Sequence, residues 1–311
     1  MTRHKHAFRH LCRVFSALAA PFGYAVFFWS VALFWGVAPL GLALARDIPL
    51  SPTQGLAQLT RLGPELRPGD TVTLKPGVYK GSATLNGVHG DPLRPIVITA
   101  EKGARIESWT DADKTHFLPA SSLLIQTSND MEISNLDIAG AARAVTLGNC
   151  TNMTITHNHI HDVSNYGIMN YMSSGTSITN NTIERSSLEH GIYISGDATN
   201  IRIADNTIRD THVNGIHING KVAAPLVENN TLERIGSYPT PEGGAAITFV
   251  GGVTAPVARN NTFKAIHGQG ITIDAPNALI ESNTFAGQAW SAILALPNAT
   301  NMTLRDNHFA K

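Results

Sequence analysis

An all-β solenoid, in which short parallel strands stack coil upon coil, is the fold this sequence predicts, and three observations predict it. Asparagine recurs in an aliphatic-x-x-Asn-x-aliphatic pattern at Asn158, Asn181, Asn206, Asn230, Asn261, Asn283 and Asn307, with spacings of 23, 25, 24, 31, 22 and 24 residues. The apolar segments between them alternate with period two, and none is long enough for an amphipathic helix. Gly, Asn, Asp and Ser punctuate the segments, as turns with positive φ require. A period near 24 residues marks a repeat protein in which each unit buries its apolar side only against its neighbours.

Composition agrees. The 311 residues carry 23 Lys+Arg against 23 Asp+Glu, a net charge of zero that argues against a nucleic-acid binder. Hydrophobic residues make up 43%, enough for a core, so disorder is excluded. Cys12 and Cys150 are the two cysteines, too few for a disulfide scaffold.

Residues 1–45 read as an address. Arg3, Lys5, Arg9 and Arg13 precede 32 uncharged residues from Val14 to Ala45, centred on the apolar run Ala25 to Val37. Ala43-Leu44-Ala45 is a small-x-small cleavage site, which predicts a signal peptide cut after Ala45 and a periplasmic or secreted domain 46–311. The alternative is an uncut signal anchor, residues 15–45 spanning the ~30 Å core of the inner membrane with the domain outside the cytoplasm. Membrane contact is expected only through this segment. Its removal takes away four positive charges, leaving 19 against 23, a net charge of −4.

Within the domain a second register accompanies the asparagines: Gly167-Ile168, Gly191-Ile192, Gly215-Ile216, Ala246-Ile247 and Gly270-Ile271, extended by Val145 and Ile293. About 24 residues accommodate three short strands and three turns per coil, with aliphatics stacked inside at ~4.8 Å intervals. Asparagine at one recurrent position is expected to bond to the same residue above and below. Ahead of the coils stand Ser51 to Leu62, Arg67-Pro68-Gly69-Asp70-Thr71-Val72-Thr73-Leu74, Gly77-Val78-Tyr79, Pro95 to Ala100 and Gly103 to Ile106.

With these strings the chain resembles the right-handed parallel β-helix proteins of the pectate-lyase type, over roughly Ile48 to Lys311. The resemblance implies a right-handed parallel β-helix of 22–25 residues per coil, with a capping helix over Ser51 to Leu62. It implies polysaccharide lyases and epimerases as the relevant chemistry, with Ca²⁺ as a possible cofactor. The Asp-Pro-His-Asp string of alginate C5-epimerases is absent, as are the Arg-x-Pro-x-x-Arg set of pectate lyases and the Asn-Lys-Ser string of the chondroitinase-B group. No catalytic residue therefore carries over by motif, and column geometry alone selects a site.

One insertion interrupts the repeat, between Asn230 and Ile247, and contains Tyr238. On the side it borders, the outward column one residue after the core aliphatic holds Thr146, Met169, Tyr193, His217, Thr248, Thr272 and Leu294. The column two residues before it holds Arg143, Tyr166, His190, Asn214, Ala245, Gln269 and Ser291. Tyr, His and Asn concentrate on the middle coils. His190, Tyr193 and His217 are the predicted catalytic residues, and Tyr193 and His217 are expected as neighbours on successive rungs. Arg143, Tyr166, Asn214, Lys221 and Tyr238 are the predicted substrate-binding residues. Histidine suits a base near neutral pH, tyrosine can give or take a proton, and a cationic or donor group neutralises the carboxylate in β-elimination.

Other constellations are weaker. His157, His159 and His161 are expected to project outward on one strand, where a transition metal is one reading and solvation the commoner one. Asp197, Asp205 and Asp210 stand where Ca²⁺ ligands or plain turn residues are expected. Hydrolysis would need two opposed carboxyls, and Glu189 with Asp210 or Glu242 is not singled out by spacing. No metal ligand is assigned. The sequence thus predicts an exported lyase that cleaves an acidic, uronate-containing polysaccharide by β-elimination. A polyuronate C5-epimerase and a non-catalytic glycan-binding or exopolysaccharide-assembly protein are the alternatives.

Overall fold

The computed structural model describes residues 44–108, 121–236 and 244–310. Residues 1–43, which hold nearly all of the expected export segment, lie outside the described residues, as does Tyr238 with most of its loop. Among the described residues no helix is long and apolar enough to cross a membrane.

Leu44–Lys311 forms one compact unit, a parallel β-solenoid. An 11-stranded sheet runs from Asp47–Leu50 through Asn129–Ser134, Thr151–Thr156 and Ser177–Thr179 to Thr303–Arg305. After a corner, a second sheet follows with Thr182–Ser186, Thr207–Thr211 and Thr231–Glu233. After a further bend comes a third, with Ile192–Ser195, Ile216–Asn219, Ala245–Val250 and Gln269–Ile273. The expected three strands per coil are not kept everywhere. In Asp137–Gly148 and His159–Tyr171 the second and third strands fuse into single runs of 12 and 13 residues, the latter with a register shift between Val163 and Tyr166.

The predicted register holds. Val145, Ile168, Ile192, Ile216, Ile247, Ile271 and Ile293 pair in succession, and all but Ile293 are fully buried. Burying each large aliphatic removes apolar surface from water worth roughly 1.5–3 kcal/mol. In the second sheet the core column ends in aromatics, with Phe263 and Phe285 stacked at 4.6 Å and Phe285 and Phe309 at 5.3 Å.

At the corner between the first two sheets the asparagines form a continuous ladder. Asn158 Nδ2 donates to Asn181 Oδ1 at 3.0 Å, and the same bond links Asn181 to Asn206, Asn206 to Asn230, Asn230 to Asn261, Asn261 to Asn283 and Asn283 to Asn307. Each Oδ1 also accepts the backbone N–H of the preceding ladder residue, and each Nδ2 of Asn158, Asn181 and Asn206 also reaches a main-chain carbonyl. Buried amides are therefore fully used, which is why asparagine and not an apolar residue holds the corner. Leu136, which replaces Asn in the first copy, donates its N–H to Asn158 Oδ1 at 3.0 Å. The residue just before each ladder position has positive φ: His157, Asn180, Asp205, Asn229, Asn260, Ser282 and Asp306. Asn, Asp and His tolerate this conformation better than other side chains.

The glycines that open the third strand have another cause than the expected turn conformation. Gly191 and Gly215 do not have positive φ. A Cβ on Gly191 would lie 2.7 Å from the Ile208 side chain and 2.8 Å from the Gly215 carbonyl, so the bend packs directly on the core. The N-terminal cap is also shorter than predicted. Ser51 caps a 3-10 turn at Pro52–Gln54, the α-helix is Ala57–Leu62, and a second 3-10 turn follows at Gly63–Glu65. Leu56 and Leu59 are fully buried over the first coil, and Gly55 with positive φ separates the turn from the helix.

Candidate active site

Four of the predicted residues meet on the outer face of the third strands. Tyr193 and His217 are direct lateral partners, and their rings lie 5.1 Å apart. Neither is covered by aliphatics, because Ile192, Ile194, Ile216 and Ile218 on either side take the core face. His190, whose direction alternation left open at the Gly191 bend, turns onto this face. Its ring is 4.6 Å from His217, 5.4 Å from Tyr193 and 5.6 Å from Tyr166, and Tyr166 lies 5.1 Å from Tyr193.

The hydrogen bonds fix the tautomers. The Asn214 backbone N–H donates to His190 Nδ1 at 3.3 Å, so the proton of neutral His190 is on Nε2. His190 Nε2 lies 2.8 Å from His217 Nδ1, which accepts that proton's bond and leaves the His217 proton on Nε2. His217 Nε2 is buried and has no hydrogen-bond partner among the described residues. Burial lowers His190 to about 3, helped by the neighbouring His217, and burial lowers His217 to about 4. Both rings are therefore neutral at neutral pH.

The surrounding groups complete a platform. Arg143, outward on Asp137–Gly148, sets its guanidinium carbon 5.6 Å from the Tyr166 ring centre, and its Nε is also buried without a partner among the described residues. Burial, with Glu189 and Tyr193 nearby, raises the Tyr166 phenol. Asn219 Nδ2 donates to Tyr193 Oη at 3.4 Å. Asn214 is buried, and its Oδ1 accepts from Ala245 N–H at 2.7 Å and from Thr248 Oγ1 at 3.2 Å, so this side chain ties the next coil into the cluster. Lys221 is exposed in the turn beyond Ile216–Asn219 and is not drawn into the cluster by any described contact.

Glu189 gains importance over its place in the sequence reading. Its Oε2 lies 3.6 Å from His190 Nε2, and burial raises its carboxyl against the opposing influence of His212. The signal was its position beside His190, which no residue spacing could weight. A groove of about 350 Å³ adjoins this edge, lined by Asp162, Arg185, Ser186, Ser187, Asp210 and His212.

Two of the three turn aspartates, Asp205 and Asp210, are held by protein donors, whereas Ca²⁺ needs six or more oxygen ligands. Both Asp210 oxygens receive Arg234, at 2.7 and 2.9 Å, and Asp205 receives Asn229 Nδ2 at 3.1 Å. Of the three histidines around Asn158, His157 and His159 are exposed while Asn158 and Ile160 are buried, as alternation predicts. His157 occupies the positive-φ turn before the ladder residue, outside the strand that begins at His159. His161 is buried rather than solvated, and its ring stacks on His159 at 4.4 Å. Cys150 is a free, buried thiol raised by burial, its Sγ donating to the Ile125 carbonyl at 3.4 Å.

Residues 107–263 match the family described as the right handed beta helix region. The chain belongs to this family. The match supplies the handedness of the solenoid, right-handed as the resemblance implied. Among solved structures, an alginate lyase from Paenibacillus sp. str. FPU-7 superposes with a TM-score of 0.59 at 18% identity, covering 86% of this chain and 99% of that one. The pectate lyase Pel9A superposes at 0.53 and 13% identity, over 86% of this chain and 80% of its own. A DFA-IIIase from Arthrobacter chlorophenolicus A6 does so at 0.52 and 13%, over 78% and 74%. These three structures share the fold with this chain. No curated protein sequence matches it.

Proposed function

We propose that this β-helix protein is a lyase that cleaves an acidic, uronate-containing polysaccharide by β-elimination outside the cytoplasm. One observation carries the reading. Arg143 Nε–H and His217 Nε2–H are buried donors with no acceptor among the described residues, and they stand at opposite ends of the platform made by Tyr166, His190 and Tyr193. An acceptor-rich anionic chain lying along the solenoid axis would satisfy both, since leaving such groups unpaired costs about 1–3 kcal/mol each. The tyrosine rings offer faces to sugars.

β-Elimination removes the proton α to the carboxylate, its C–H electrons form the new carbon–carbon double bond, and the C4–O4 bond breaks as the leaving oxygen takes a proton. The hydrogen-bond directions favour Glu189 over an imidazole as the base, because Asn214 N–H and His190 Nε2–H engage the lone pairs of His190 and His217. A carboxyl raised by burial is closer to the operating pH, which suits general base work. Tyr193 supplies the proton for the leaving oxygen, and Asn219 stabilises the resulting phenolate through its amide. His217 Nε2–H binds the uronate carboxylate and the charge that develops on it. The expected roles of His190 and His217 thus become positioning and donor roles in place of proton abstraction.

The test is the ultraviolet absorbance of the conjugated uronate product when the protein is incubated with alginate, pectate or a glycosaminoglycan. A rise on one of these, lost in Tyr193→Phe and Glu189→Gln, supports the reading. Flat traces on all of them overturn it, and proton exchange without chain cleavage would make the protein an epimerase instead.

A further inference from the structure

We propose that Asp137, His159 and His161 form a binding site for a first-row divalent metal ion of the Zn²⁺ type, on the outer face of the second sheet and independent of the elimination chemistry. Three donor atoms, one from each residue, lie within 4.8 Å of one another. The backbone explains why they meet. Asp137 and His159 are direct lateral partners on adjacent coils, and His161 follows His159 two residues on, with Ile160 between them in the core.

The ring nitrogens show what the site takes. His161 Nδ1 lies 2.5 Å from Asp162 Oδ2 and His161 Nε2 lies 2.9 Å from Asp137 Oδ1. His159 Nε2 lies 3.3 Å from Glu184 Oε1 and His159 Nδ1 lies 3.6 Å from Asp137 Oδ1. All four nitrogens thus face carboxylate oxygens. A neutral imidazole has one N–H, so each ring turns one lone pair toward a carboxylate. If the protons point to Asp162 and Glu184, both remaining lone pairs converge on Asp137 Oδ1, and a cation placed among the three atoms converts opposed lone pairs into bonds.

The spacing suits that cation. Bonds of ~2.1 Å at tetrahedral angles put ligand atoms about 3.4 Å apart, and the contacts of Asp137 Oδ1 are 2.9 and 3.6 Å. The outer groups are already arranged as metal-bound histidines require, each ring donating its other N–H to a carboxylate. Asp162 is held in turn by Arg185 at 2.7 and 3.0 Å. Two imidazoles and one carboxylate select Zn²⁺ and its neighbours over Ca²⁺ or Mg²⁺, which prefer all-oxygen sets. Asp137 and His159 are partly exposed, which gives an ion access from solvent.

Isothermal titration calorimetry of the untagged, chelator-treated protein with ZnCl₂ tests the site. The expected result is one Zn²⁺ per chain, no comparable binding of CaCl₂ or MgCl₂, and at least a tenfold loss of Zn²⁺ affinity in His159→Asn and in Asp137→Asn. Both substitutions are at partly exposed positions, so the test does not depend on a variant of buried His161. Asp162→Asn is expected to weaken Zn²⁺ binding about 10–100-fold through the orientation of His161, while His190→Gln leaves it unchanged. Absence of Zn²⁺ binding, or equal binding by the His159→Asn and Asp137→Asn variants, overturns the proposal.

Discussion

The asparagine ladder and the aromatic platform climb the same coils at the same spacing, yet they finish their hydrogen bonds differently. On the ladder, Asn181, Asn206 and Asn230 each spend the amide on the coil next door and the main chain, and nothing is left for a ligand. On the platform the sequence changes from rung to rung, from Arg143 to Tyr166, His190 with Tyr193, and His217, and two donors remain open. Repetition that satisfies itself holds the fold. On the platform, departure from repetition leaves Arg143 Nε and His217 Nε2 unsatisfied, where an acceptor from another molecule would complete them.

Breaking the platform should change turnover far more than stability. If the proposed elimination is the reaction, Tyr193→Phe is expected to lower turnover by about 10²–10⁴-fold, the usual worth of one general acid, while the denaturation midpoint stays near that of the parent. Breaking the ladder should do the reverse. Asn206→Ala leaves the buried Asn181 N–H and amide without their acceptor, and a loss of about 1–3 kcal/mol per orphaned group is expected by urea denaturation.

The same contrast explains what could be read in advance. The Asn spacing, the Gly-Ile register and the pairing of Tyr193 with His217 follow from periodicity alone, because each coil repeats the last. His190 could not be aimed from sequence, since the Gly191 bend breaks alternation and core packing decides the turn. His161 misled for another reason: it lies outward of the core like His159, but neighbouring side chains cover it. The site of Asp137, His159 and His161 joins residues from two coils, and the histidines were read along one strand without the residue beside them on the preceding coil. Glu189 was weighed only as one of two opposed carboxyls, because a carboxyl raised by burial has no signature in a string of letters.

A third prediction sharpens the comparison through pH. Both imidazoles are held below the ordinary ~6.5 of free histidine, to about 3 and about 4. Well above pH ~6.5 neither folded nor unfolded chain is protonated there, so the full stability is present. As pH falls from there toward about 4 the unfolded chain takes up protons first, and stability declines by up to about 1.4 kcal/mol per pH unit for each group. Urea midpoints at pH 7 and pH 5 should therefore differ less in a His190→Gln/His217→Gln variant than in the parent. The smallest effect is expected at the surface: Arg234→Ala removes a partly exposed pair with Asp210 and should move the urea midpoint less than any of the changes above.

The open donor on His217 is read most directly by nitrogen-15 NMR of histidine-labelled protein at neutral pH, with and without an oligouronate. The account predicts a neutral His217 protonated on Nε2 whose Nε2 resonance moves on adding the oligosaccharide, while the ladder amides stay in place. A proton on Nδ1, or an Nε2 resonance unmoved by saturating oligouronates of every type tried, would contradict it.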